Sequence, residues 1–231
     1  MIFHALIPAR KGSKGIKNKN MHEFLGLPLI EHTLRSAQKS KYLNSITVSS
    51  NDKNLLDFVS GFDINILKRP EEISLDESRS DEVVSHFIDC SPLDIHEDDY
   101  IVFLQPTSPF RTNKEIDRAI IEVKNNNYES LIGVAETLKS PFKTFKIKNG
   151  KLFSVFSESF LNSPRQKLEK TFYPNGAIYI FKVKLFKRLN GFPNNESFPF
   201  IMDHFQSTDI DTKADLDYAK WLHENMYNNQ T

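Results

Sequence analysis

The feature that most constrains this chain is a regular alternation of short apolar runs with amphipathic stretches as far as Glu136. "IFHALI", "SITVSS" (45–50), "INILK", "YIVFLQ" (100–105) and "SLIGVAE" each predict a strand, and the most apolar of them predict strands buried on both faces. Between them lie helical patterns. Residues 29–41 place Ile30, Thr33, Leu34 and Ala37 on one face, and "DKNLLDFVSGF" is helical until Gly61 stops it. Residues 80–89 carry Val83, Val84, Phe87 and Ile88 at helical spacing. "TNKEIDRAIIEV" opens with a Thr112-x-x-Glu115 capping box and aligns Ile116, Ala119, Ile120 and Val123. Strands that alternate with helices predict an α/β fold, a mostly parallel sheet with helices on both faces.

After Glu136 the rhythm breaks. Residues 138–175 predict short β segments ("FKTFKIKNGKLFSVF") and a polar loop ("NSPRQKLEKTFYPNG"), an inserted arm or subdomain in an otherwise single domain of 231 residues. "AIYIFK" returns to strand character. A closing helix over about 212–226 is expected to turn Leu216, Ala219, Leu222 and Met226 inward, with "NNQT" as a frayed tail.

Thirty basic and thirty acidic residues cancel, which argues against nucleic acid or a membrane surface as partner. No apolar run reaches membrane-spanning length, and "MIFHALIPAR" is too short for a secretory core. Cys90 is the sole cysteine, which rules out an intramolecular disulfide and points to a reducing compartment. The expected location is cytoplasmic.

Against this neutral background, "LIPARKGSKGIKNKN" concentrates Arg10, Lys11, Lys14, Lys17 and Lys19 in one loop after the first strand. Ligands of parallel α/β sheets bind beyond the carboxyl ends of the strands. Gly12 and Gly15 let backbone amides approach an anion, Ser13 adds a hydroxyl, and Arg10 can grip a phosphate with two hydrogen bonds. The spacing lacks the GK[ST] end of a Walker loop and the G-x-G-x-x-G dinucleotide fingerprint. Five like charges repel unless an anion neutralises them, so the loop is expected to hold a polyphosphate.

Near the other end, "STDIDTKADLDYAK" sets Asp209 and Asp211 two apart, so that an extended backbone aims both carboxylates the same way. Two readings stand open: carboxylates for Mg²⁺ bound with a nucleotide, or a helix start in which Thr212-x-x-Asp215 caps and Asp211 favours the positive helix end. The histidines make neither HxH nor HExxH spacing, which argues against a zinc enzyme.

"IPARKGSKGIKNKN", "FLQPTSPFRT", "PRQ" with "PNGAIYI", and "DIDTKADL", in that order, resemble the CMP-nonulosonate synthetases, the cytidylyltransferases of N-acylneuraminate, legionaminate and related nine-carbon sugars. The resemblance implies a three-layer nucleotide-diphosphosugar-transferase (Rossmann-like) fold and a homodimer whose inserted arm reaches over the partner's active site. It implies as substrates CTP and a free nonulosonic acid, with CMP-sugar and pyrophosphate as products and Mg²⁺, or Mn²⁺ in its place, as the required ion. Arg10, Ser13, Lys14, Lys19 and Asn20 match the family's triphosphate loop, and Arg69 and Ser80 match positions near cytidine. Gln105, Tyr179 and Phe192 match the sugar pocket, although Pro193 stands where the family often has a second aromatic. Lys143 and Arg165 match basic residues of the arm, and Asp209 and Asp211 the metal ligands.

The catalytic set is then Arg10, Lys19, Asp209 and Asp211, with the base open between Asp211 and metal-bound water. "NGAIYIFK" and "PRQKLEKTF" lean toward the bacterial legionaminate-like branch. The alternatives are CMP-pseudaminate synthetase, a Kdo cytidylyltransferase and a non-catalytic nucleotide-binding module. The Kdo motif continues Arg-Leu-Pro and then Lys-Pro, where this chain has Lys14-Gly15-Ile16 and Lys19-Asn20.

Overall fold

Strands that are apolar on both faces need helices on both, and the chain supplies them. A computed structural model describes residues 1–227; the tail "NNQT" lies outside the described residues. In chain order the elements are β1 (Phe3–Pro8), β2 (Glu23–Phe24), β3 (Leu27–Pro28), α1 (Leu29–Gln38), β4 (Ser45–Ser50), α2 (Lys53–Val59), β5 (Asn65–Lys68), α3 (Ser80–Cys90) and β6 (Tyr100–Phe103). They continue with α4 (Asn113–Asn126), β7 (Ser130–Glu136), β8 (Phe145–Lys148), β9 (Lys151–Ser154), α5 (Glu158–Asn162), β10 (Phe172–Lys182), α6 (Val183–Leu189), β11 (Phe198–Ile201) and α7 (Lys213–Tyr227).

Seven strands form one sheet in the order β11-β7-β10-β6-β1-β4-β5. All neighbours are parallel except β10, which runs antiparallel to both β6 and β7. Alternate residues of β1 feed two cores. Phe3, Ala5 and Ile7 pack with Ile30 and Leu34 of α1, Leu55 of α2, and Ile116 and Ile120 of α4. Leu6, on the opposite face, packs with Val84 and Phe87 of α3 and Phe186 of α6. The three-layer expectation therefore holds. A third cluster joins Ile16 of the opening loop to Phe110, Ile210, Leu216 and Ala219, which seats α7 against the start of α1.

The local signals act as read at most places. Glu115 Oε2 accepts from the Thr112 N–H at 2.9 Å, closing the capping box, and Ile116, Ala119, Ile120 and Val123 are all buried. α1 ends at Gln38, three residues short of the expected end. Met226, expected on the inner face of the last helix, is 43% exposed, because the face that packs runs through Leu216 and Ala219 and leaves the core before the helix ends. The strand expected over "AIYIFK" begins at Phe172. "PNG" reads as a turn, yet it forms a register shift between Pro174 and Tyr179, with Gly176 at φ +76° and buried Asn175 donating to Ser207 Oγ at 2.8 Å. A bulge uses turn residues without ending the strand.

Residues 137–171 leave the sheet and return. The Thr137 N–H donates to the Thr171 carbonyl at 2.8 Å at the neck, and the β8–β9 hairpin and α5 lie beyond it. Among the described residues, no helix is long and apolar enough to cross a membrane.

Arg111 ties the layers together. Its fully buried guanidinium donates to the Ala177 carbonyl at 2.9 Å and to Thr33 Oγ1 at 2.6 Å, and reaches the Gln105 carbonyl at 3.4 Å. Burial lowers its pKa to about 9, while the charge of Glu115 opposes that shift. Replacing Arg111 by Ala leaves these acceptors unpaired beside a void, and urea unfolding should show a loss of about 3–5 kcal/mol. A loss near zero would mean that the three elements do not depend on this side chain.

Candidate active site

The chain runs from β1 outward to β4 and β5, then crosses to β6 on the other side of β1. This reversal opens a crevice beyond the carboxyl ends of β1 and β6, the place where open α/β sheets take ligands. A cavity of about 220 Å³ lies there. β1 delivers Pro8 and Arg10 to its wall, β6 delivers Gln105 to Thr107, and the strap between β5 and α3 delivers Arg69 and Ser78 to Ser80. Asp209 and Asp211 close it from the far end of the sequence.

Why the two ends meet is a matter of one missing side chain. A Cβ on Gly15 would sit 2.1 Å from the Asp211 carbonyl oxygen, so only glycine lets the loop lie against this segment. Asp209 and Asp211 are not on a sheet strand, contrary to expectation; their segment is irregular, held by the Ile210 N–H donating to the Thr107 carbonyl at 2.9 Å. Ile210 is buried between them, so both carboxylates still turn to the cavity. The helix-start alternative is answered by Asp215. Its Oδ2 accepts from the Thr212 N–H at 2.7 Å and the Asp211 N–H at 3.1 Å, so capping makes no use of the Asp211 side chain.

The cations are distributed unevenly. Arg10 and Lys19 line the cavity, whereas Lys11, Lys14 and Lys17 are exposed and outside its wall. Part of their repulsion is met within the chain. Asp76 pairs with Arg10 Nη1 at 2.6 Å and Lys14 Nζ at 3.0 Å, and Lys19 Nζ donates to Asp211 Oδ1 at 2.7 Å. Two carboxylates thus face three of the five cations, which leaves the loop a net positive charge. Contacts from Lys14 and then Arg10 outweigh the cost of desolvation and hold the Asp76 carboxyl below its ordinary range.

Arg69 is different. It is buried, donates to the Ser49 carbonyl at 2.7 Å and to Ser49 Oγ at 3.1 Å, and has no carboxylate partner among the described residues. Burial, and then the nearby Arg10 charge, lower its pKa to about 10. Asn20 supports the loop through its amide, which donates to the Arg10 carbonyl at 3.2 Å. Ser80 opens α3 but does not cap it: the Arg79 N–H donates back to Glu82 at 2.7 Å, and Ser80 lines the cavity.

A second cavity of about 610 Å³ adjoins the first, sharing Ser78 to Ser80 and Gln105 and extending to Phe103, Tyr179 and Phe192. Phe192 packs edge-on against Phe103 and Phe181, with ring centres 5.2 Å and 5.0 Å away, and so belongs to the core as well as to the cavity wall. Burial and the Asp209 charge raise the Tyr179 phenol above its ordinary range, against a hydrogen bond with the Gly176 backbone. Two expected residues stand apart: Lys143 donates to the Leu161 carbonyl at 3.1 Å inside the arm, and Arg165 is exposed there. Neither lines the two cavities of its own chain.

Sequence reading missed Asp76, Arg79 and Thr107. Asp76 and Arg79 fall between Arg69 and Ser80, in a segment whose acidic residues look like an ordinary helix start.

The Asp209 residue stays open to the cleft, yet its carboxyl is set among the walls. Desolvation raises its pKa, the Thr107 hydroxyl opposes this by donating to it, and the Asp211 charge adds to the rise. Oxygen donors of this kind suit a hard divalent cation, and a carboxylate held above its ordinary range is one whose charge a cation would restore. No cluster of three or more His, Cys, Asp or Glu side chains occurs among the described residues, so an ion here would need further oxygens from a ligand. The raised pKa fixes a sign. The proton binds the folded state more tightly, so ionised Asp209 weakens the ligand-free fold above its folded pKa, and the cost vanishes when both states are protonated. Asp209→Asn should therefore raise the melting midpoint at pH 7 by about 1–2 °C, with the gap closing below about pH 4. An unchanged or lower midpoint at pH 7 would show that the carboxylate is not strained there.

Comparison with known proteins follows the same lines. A cytidylyltransferase family profile matches residues 4–230. The chain is 29% identical to the N-acylneuraminate cytidylyltransferase of Escherichia coli over 93% of its own length, and spans about half, 50%, of that relative. It is 31% identical to the CMP-N,N'-diacetyllegionaminic acid synthase of Legionella pneumophila, with 95% of each chain covered. Its fold is that of a CMP:2-keto-3-deoxy-manno-octonic acid synthetase solved in complex with CTP, at 15% identity and a TM-score of 0.72 over 98% of this chain and 100% of the other. The chain belongs to the cytidylyltransferase family, as its resemblance to the CMP-nonulosonate synthetases implied.

Proposed function

We propose that this chain is a nucleotidyltransferase that moves CMP from CTP to the anomeric hydroxyl of a free nine-carbon 2-keto-3-deoxy sugar acid, of the N-acetylneuraminate or legionaminate type, releasing pyrophosphate. The observation that carries the reading is the convergence of Arg10, Lys19, Arg69, Asp209 and Asp211 on one crevice that opens into an aromatic-walled cavity. Full-length similarity to the legionaminic acid synthase supports the legionaminate side of the choice.

In this mechanism the sugar oxygen attacks the α-phosphorus in line with the leaving pyrophosphate, and catalysis comes from positioning and charge. Arg10 and Lys19 leave Asp76 and Asp211 to take the charge that develops on pyrophosphate. Arg69, already buried and without a carboxylate, offers its donors toward the nucleotide. Asp209 and Asp211 would hold Mg²⁺, or Mn²⁺, with oxygens of the triphosphate. Once bound, that ion supplies charge neutralisation at the α-phosphate and acidifies the attacking hydroxyl. Tyr179, Phe192 and Gln105 face the sugar. A pyrophosphate-release assay with CTP and a panel of nonulosonic acids tests the reading, and no release with any of them would refute it. Arg10→Ala should slow turnover by about 10²–10³. Asp211→Asn should abolish ion-dependent release with the fold intact, while unchanged release would confine Asp211 to structure.

We also propose that the chain acts as a homodimer, with residues 137–171 as the arm that brings Lys143 and Arg165 to the partner's cavity. Exposed Phe145, Ile147, Leu152 and Phe153 on the hairpin support it, since an isolated two-stranded ribbon with such a surface is unstable in water. Sedimentation should give a dimer that Ile147→Asp converts to monomer; a monomeric parent protein would dismiss the arm as a dimer contact.

A further inference from the structure

A sugar acid brings a carboxylate into the second cavity, and the lining of that cavity is short of positive charge. Of the residues that wall it, Arg79 is the one cation; Gln105, Asn190 and Asn194 are neutral amides, and the rest of the wall is aromatic, aliphatic, hydroxyl, glycine or acidic. Arg79 also lines the nucleotide cavity, so its side chain stands at the junction where sugar and α-phosphate would meet. The geometry points to Arg79 as the receptor for the carboxylate of the sugar acid, a specificity-determining role that rests on the function proposed above.

The state of Arg79 in the ligand-free chain fits this use. Its Nη2 donates to Asp81 Oδ2 at 2.5 Å, while 76% of its side chain remains solvent-exposed. The pair is a carboxylate–guanidinium contact of the kind a substrate carboxylate reproduces, and a planar guanidinium receives such a group through two parallel hydrogen bonds. Asp81 keeps other partners when Arg79 turns away. It lies in the first turn of α3, where the helix end favours negative charge, and its other oxygen accepts from the Glu82 N–H at 3.1 Å. Arg79 can therefore exchange one carboxylate for another without stranding the first. Asp81 in turn gives the cavity a way to discriminate. A neutral sugar cannot displace it from Arg79, whereas an acid of the right reach can. Gly191 closes this corner, since a Cβ there would meet Asp81 Oδ2 at 3.4 Å.

The test is steady-state kinetics of the full chain with CTP and the sugar acid that gives the highest pyrophosphate release. Arg79→Gln should raise the KM for the sugar acid by about tenfold to a hundredfold, the scale of a charge-assisted pair, and leave the KM for CTP within about twofold. The parental KM for the acid should rise with added salt, and the variant should lose most of that dependence. Arg79→Lys should recover only part of the affinity, since an ammonium lacks the fork. An unchanged KM for the acid in Arg79→Gln would overturn the assignment while the parental activity stands, and would give the carboxylate to the arm cations of a second copy. Equal losses for CTP and acid would overturn it too, by making Arg79 a general support of α3. A parent chain that releases no pyrophosphate with any sugar acid would overturn both this role and the function beneath it.

Discussion

The structure depends on one close backbone contact between regions almost two hundred residues apart. Gly15 lies against the Asp211 carbonyl with no room for a side chain, and Lys19 reaches the Asp211 carboxylate from the same loop. This contact places a cationic loop and two carboxylates on opposite walls of one crevice. The third core, with Ile16 from the loop and Ile210 from the aspartate segment, buries apolar surface at the same place and holds the walls together.

Charge in the chain is held in two ways. Arg10, Lys14 and Lys19 pair with carboxylates, Asp76 holding Arg10 and Lys14 and Asp211 holding Lys19. Arg111 is instead buried against the Ala177 carbonyl and the Thr33 hydroxyl. A carbonyl is a fixed neutral acceptor, while a flexible carboxylate is one that another anion can replace. Arg69 lines the crevice yet is held in the second way: it is anchored through Ser49, and its charge is answered by no carboxylate among the described residues.

Local signals were legible wherever the chain obeys its own neighbours. The capping box at Thr112, the apolar stripe of α1 and the strand at Tyr100 to Phe103 need no distant partner, because each reports its own burial period. Gly12 and Gly15 both read as glycines that let the backbone approach an anion. Gly12, at φ +74°, takes a left-handed backbone, whereas Gly15 is small for the sake of Asp211. The "PNG" bulge misled for the related reason that turn residues also bend a strand that continues. Asp76 was invisible as a counter-ion, since no period or spacing connects it to Arg10 and Lys14.

By itself the sequence determined the α/β layering, and it singled out the loop after β1 and the pair Asp209 and Asp211 as candidate site residues. Periodicity and strand-end position are local properties, which is why they can be read without a structure. Tertiary structure alone decided that the two ends line one crevice, that Asp215 rather than Asp211 caps the helix, that Lys14 pairs with Asp76, and that Lys143 and Arg165 lie away from the crevice of their own chain. Those outcomes depend on which groups meet across long stretches of chain. Only the packing of β1, β6 and α7 around a common crevice brings them within reach of one another.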